Sequence, residues 1–129
     1  MCSSDLALYF ASATVNASTT AYSTTGEVTN TSGSGYTAGG TTVTNGTAPT
    51  ATNSSSTAGT AYWTPTASFS WSALTVTTAF DAVLIYNSSQ SNKAVSVHTF
   101  GSQTITSGTF TLTMPSNTTS TALLRLATT

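Results

Sequence analysis

Apolar and polar positions alternate through most of the second half of the chain, with the two-residue period of an extended strand. Residues 80–100, FDAVLIYNSSQSNKAVSVHTF, hold two apolar runs, 82–86 and 94–99. Between them lies a polar stretch with Asn87, Ser88, Ser89, Ser91 and Asn92. This pattern predicts an antiparallel hairpin with its loop centred on Gln90. In that register Val83 faces Val97 and Ile85 faces Val95 on one side. Phe80, Ala82 and Leu84 face Phe100, His98 and Ser96 on the other. A slip of one residue would set the valines against polar partners, so the pattern selects its own register. Apolar residues on both faces predict central strands covered, at least in part, on both sides.

The remaining pattern supplies further strands. Residues 6–15 open with Leu6, Leu8 and Phe10 on one face and Ala7, Tyr9 and Ala11 on the other. Residues 16–46 are softer, with Gly33, Gly35, Gly39 and Gly40 marking turns or bulges. Asn45-Gly46 predicts a type I′ turn in a small hairpin, and residues 49–59 read as loop. Residues 61–64 form a short strand stopped at Pro65. Residues 68–78 alternate with Phe69, Trp71 and Ala73 on one side. Residues 103–114 carry Phe110, Leu112 and Met114 on one face until Pro115, which has no amide for a ladder. Residues 121–127 close the chain with Leu124 and Leu126 inward and Arg125 outward. No window has helical periodicity and no repeat is evident. About eight short strands predict an all-β chain: an antiparallel β-sandwich, jelly-roll or immunoglobulin-like. Residues 6–129 form its single domain, the second half its mechanical core and residues 16–60 decoration. Residues 1–5, which look unlike the rest of the chain, are expected to be a frayed or non-native start.

Composition adds one unusual feature. About four residues in ten are Ser or Thr, and only 4% are charged. Disordered chains usually combine few aromatics with high net charge, whereas this chain has a net charge of −1 and 9% aromatic residues. Threonine also suits strands, because its branched Cβ packs on a pleated surface. A near-neutral surface gives little repulsion between copies, which fits membership of an oligomer or lattice. Cys2 is the single cysteine, so no internal disulfide forms. The first residues have neither the basic region nor the apolar length of a signal peptide or membrane span.

Candidate chemistry is sparse. His98 is the single imidazole, and the hairpin register places Asp81 on the opposite face from it. A Ser-His-Asp arrangement is therefore rejected. Asp5, Glu27 and Asp81 are the only carboxylates, too few for two acids converging on a cleft. No His/Cys cluster or acidic loop suits zinc or calcium, so no metal or cofactor is expected. Lys93 and Arg125, the only cations, are too few to neutralise nucleic-acid phosphates. Residues 33–40, GSGYTAGG, lack the Lys-Ser/Thr ending of a phosphate loop. Six N-x-Ser/Thr triplets, at Asn16, Asn30, Asn45, Asn53, Asn87 and Asn117, carry no meaning at this Ser/Thr content. The aromatic residues left over from the expected core, Tyr22, Tyr36, Tyr62 and Trp63, are the candidates for contact with a glycan or protein partner.

Three stretches, ALYFASATVNASTTAYSTTGEV, GYTAGGTTVT and FDAVLIYNSSQSNKAVSVHTFGSQTITSGTFTLTMP, together resemble a family of small virion structural proteins of tailed bacteriophages. The resemblance runs from about residue 6 to 127 and is most specific at AVLIYNSSQSNKAV and GTFTLTMP. It implies a particle component made in the host bacterial cytoplasm, with no catalytic residues to carry over. The leading expectation is a capsid decoration, or cement, protein on the outer shell. Its partners would be other virion proteins, the major capsid protein first, with no nucleic acid or membrane. The alternative is a tail, neck or fibre-associated module that binds a host glycan or another virion protein. An enzyme is not expected.

Overall fold

The computed structural model describes residues 3–29, 35–44, 48–52, 59–65 and 68–127. They are all-β, without helix, in two antiparallel sheets. Among the described residues there are seven strands, close to the eight or so expected, and two antiparallel sheets are consistent with the β-sandwich class. They are β1 (Ser4–Phe10), β2 (Thr41–Val43), β3 (Thr50–Ala51), β4 (Thr60–Trp63), β5 (Phe69–Asn87), β6 (Lys93–Leu112) and β7 (Leu124–Ala127). Two compact units are present, Met1–Val43 with Ser70–Phe110, and Thr44–Phe69 with Thr111–Thr129.

In the first unit the strand order is β2-β1-β5-β6. Leu6 pairs with Ile85 and Leu8 with Val83 on one face; Ala7 pairs with Leu84 and Tyr9 with Ala82 on the other. All of these side chains are buried, so both faces of β1 and β5 are covered; of the two hairpin strands expected to be central, β5 is and β6 lies at the sheet edge. Ser4 and Asp5, expected to fray, are held between β2 and β5, opposite Val43, Thr42, Asn87 and Tyr86. The first strand stops at Phe10 rather than residue 15. There the register shifts, and Ala11 donates its N–H to the Ala79 carbonyl of β5, one pair beyond Phe10–Phe80.

The hairpin forms with its turn over residues 88–92, centred on Gln90. The Asn87 side chain accepts from the Ser89 amide at 3.1 Å and its hydroxyl at 2.8 Å, while Ser91 and Asn92 take left-handed φ of 54° and 57°. The side-chain facing differs from expectation, however. Val97 packs against Ala7, Tyr9, Ala82, Leu84 and Tyr86, the face opposite Val83 and Ile85. Val95 is 47% exposed rather than set against Ile85. At this end of β6, the sheet's edge strand, residues 13–22 supply cover on one face. Ala13, Val15 and Tyr22 lie on that same face and draw Val97 to it.

The four strands expected over 68–78, 82–86, 94–99 and 103–114 are two long ones, β5 and β6, bent together. Phe100 and Phe110 are ring neighbours at 5.4 Å, and Phe80 contacts both. Ala73 and Ser107 take left-handed φ of 53° and 49° within the bent stretch. Trp71, Leu74, Val76, Phe80 and Phe110 are buried. Trp71 stacks on Phe110 at 5.8 Å.

Residues 16–29 and 35–43 are core as much as covering. Val28, Tyr36, Val43 and Glu27 are buried, and Glu27 bridges to Tyr9 while Val28 donates its N–H to the Leu8 carbonyl. The Asn45-Gly46 turn lies outside the described residues. In the second unit β3-β4-β7 form the three-stranded sheet. Thr64 is buried and accepts the Leu123 N–H at 2.9 Å, tying β4 to the approach of β7.

Candidate interaction surfaces

The four candidate contact aromatics divide between the units. In the first, Glu27 is 3% exposed and accepts three hydrogen bonds. Tyr36 donates its hydroxyl to Oε1 at 2.7 Å, the Gly39 amide donates to the same oxygen at 2.7 Å, and Tyr22 donates to Oε2 at 2.7 Å. Tyr36 in turn accepts the Leu8 N–H at 2.9 Å. Tyr86 donates to the Gly39 carbonyl at 2.8 Å, and its ring stacks on Tyr22 with centroids 4.5 Å apart. A carboxylate taken out of water requires such donors, since burying it unpaired costs several kcal/mol. Burial, followed by the bond to Glu27, raises the pKa of both Tyr22 and Tyr36. Burial, with nearby carboxylates adding to it, also raises Tyr9 and Tyr86.

Tyr36 is thus an interior residue, 7% exposed, and not the contact residue expected. Tyr22 is half-buried, with its hydroxyl and ring both engaged within the unit. Sequence reasoning misses Glu27 as a structural hub. Its sequence signal is slight: one of five charged residues, followed by an apolar Val28 and flanked by two tyrosines.

Tyr62 and Trp63 lie half-buried on β4, in the second unit. Tyr62 pairs with Arg125, Ala61 with Leu126, and Trp63 with Leu124. Alternation places Ala61, Trp63, Leu124 and Leu126 on one face, an apolar row, and Tyr62 with Arg125 on the other. Leu126 is 74% exposed, contrary to the expected inward orientation. Period-two alternation separates two faces but does not say which of them is covered. A shallow hollow of about 300 Å³ runs along this strand pair, bordered by Pro49, Tyr62, Trp63, Arg125 and Leu126. Arg125 donates to the Thr119 carbonyl at 3.2 Å and to the Ser120 carbonyl, which holds its guanidinium beside the hollow.

His98 is half-buried in β6, 3.1 Å from the Ser96 hydroxyl, and burial lowers its pKa. Asp81 lies in β5 at the step where the β1–β5 register shifts, skipped between Ala82 opposite Tyr9 and Phe80 opposite Phe10. Beside β6 a cleft of about 620 Å³ is lined by Val15, Asn16 and Thr19 on one side and Val95, Val97 and Thr99 on the other.

Compared with family models, curated proteins and solved structures, the chain finds no match in any of the three.

Proposed function

We propose that this chain is a structural protein of tailed-phage virions, a decoration protein seated on the outer shell. The observation that carries the reading is the apolar row of Trp63, Leu124 and Leu126, with Leu126 74% exposed. An exposed leucine continued by two half-buried apolar side chains suits protein contact, and the aromatic member is the residue type that anchors interfaces. The sequence resemblance supplies the setting. Weak contacts of this kind, repeated by shell symmetry, hold through number rather than individual strength. With 4% of residues charged, the attachment depends little on salt. No bond is made or broken in this role.

The reading is tested with shells that lack the protein. Added wild-type chain is expected to saturate them, and Leu126→Asp, at an exposed position, is expected to fold normally and fail to attach. Equal attachment by both would overturn the assigned surface.

A second reading, a tail-associated module that binds a host glycan, draws on the hollow where Tyr62, Trp63 and Arg125 meet. It predicts that Trp63→Ala abolishes attachment to host cells with the melting temperature held. Retained attachment counts against it.

A further inference from the structure

We infer that the outer edge of β6 is a pairing edge for the same edge of a second copy, forming an antiparallel, two-fold dimer. Three features of the first unit carry this. β6 is the last strand of its sheet, with β5 on one side. On its other side residues 20–22 pair with it, at its very start. Tyr22 donates its N–H to the Asn92 carbonyl and Ala94 donates to the Thr20 carbonyl, both at 2.9 Å, around the antiparallel bridge Ala21–Lys93. The edge therefore already accepts an antiparallel strand, and that strand turns away after one bridge. Residues 16–19 form a turn there, with the Thr19 N–H donating to the Asn16 carbonyl.

The second feature is what the edge lacks. Natural edge strands are blunted by lysine, proline or inward-pointing charge. From Ala94 to Leu112 this strand has none of them, and Val95 on it is 47% exposed. The third is the cleft of about 620 Å³ beside Val95, Val97 and Thr99. Its lining is uncharged and small, so it suits an uncharged strand laid along the edge, as in strand addition. A second copy supplies such a strand, VSVHTFGS. Antiparallel pairing of an edge with itself is closed by a two-fold axis, so growth stops at two. A net charge of −1 per chain opposes the approach only weakly. This dimer is independent of virion attachment through Leu126, which lies in the other unit.

The test is sedimentation equilibrium over a concentration series, with hydrogen exchange on the same samples. Wild type is expected to dimerise, with amides of residues 95–101 gaining protection as concentration rises. Val95→Lys/Thr99→Lys places like charges along the paired edges and is expected to weaken the dimer about tenfold or more. A wild type that stays monomeric throughout overturns the proposal. So does a dimer whose 95–101 amides exchange as fast as in the monomer, a readout that holds whether or not the variant folds. So does a dimer that a folded Lys variant leaves unweakened.

Discussion

The rings of Phe100 and Phe110 lie 5.4 Å apart although they are ten positions apart along one strand. A straight strand would hold those positions about 33 Å apart, so the β5–β6 ribbon folds back and closes an aromatic cluster of Trp71, Phe80, Phe100 and Phe110 in its bend. Phe110 is buried and contacts all three of the others; Phe100 is half-buried. Phe110→Ala is expected to cost about 3–5 kcal/mol, a large share of the roughly 5–15 kcal/mol of a small domain. Phe100→Ala should cost clearly less. Denaturant melts of the two variants compare them directly, and equal or reversed losses would contradict the arrangement.

The bend sets a backbone prediction. Ala73 and Ser107 hold φ of 53° and 49°, where a side chain costs about 1–2 kcal/mol and glycine nothing comparable. Glycine inside a strand ordinarily weakens it. Here Ala73→Gly and Ser107→Gly are expected to be neutral or to stabilise by up to about 1 kcal/mol. Thermal melts check this. A fall in melting temperature for both would show that the left-handed turns are not where the ribbon's strain lies.

Gly40 makes the opposite case. It has φ of +79°, and a Cβ there would overlap the Leu6 backbone carbonyl. Gly40→Ala should destabilise by more than about 2 kcal/mol, read as a shifted denaturant midpoint. A midpoint within error of wild type would contradict the close approach to β1.

Glu27 and Tyr36 should behave as a unit. Glu27→Gln replaces an acceptor oxygen by an amide that donates, opposite hydroxyls and an N–H that also donate, and should cost about 1–3 kcal/mol. Tyr36→Phe leaves both Glu27 and the Leu8 N–H short of a partner. A double-mutant cycle is expected to give a coupling of about 0.5–3 kcal/mol. Strict additivity would refute the bond as a contributor to stability.

The same tyrosines fix an alkaline limit. Tyr9, Tyr22, Tyr36 and Tyr86 all have pKa values raised from 10.0. Below that value folded and unfolded chains alike keep these protons. Above it the unfolded chain releases them first, so it binds fewer protons than the folded chain and stability falls as pH rises. Chemical denaturation should give no loss from these groups below pH 10 and a decline above it. Tyr36→Phe should lessen the slope of that decline. A slope unaltered by Tyr36→Phe would show that this hydroxyl titrates as freely when folded as when unfolded.

Much of this fold is legible in the sequence, for identifiable reasons. The hairpin turn at Gln90 and the buried Phe69, Trp71, Phe80 and Phe110 follow from alternation and turn chemistry. What alternation does not carry is curvature. Ala73 and Ser107 are ordinary strand residues by type, so two bent strands read as four straight ones. Nor does it carry which face is covered. Leu126 and Leu124 look alike in sequence, yet Leu126 is largely exposed. The Ser/Thr/Gly-rich residues 16–43 look like covering loops because their apolar positions are widely spaced. Their core contribution comes through Glu27, Val28 and Tyr36, singly placed residues with no period to reveal them.

A decoration role means that this molecule works by sitting on other proteins in many copies. Cryo-electron microscopy of the parent virion measures that directly. Density for this all-β chain is expected to repeat over the capsid surface, in hundreds of copies, with β4 and β7 against the shell. Density confined to a few copies at the tail, or no copy in the particle at all, would contradict it.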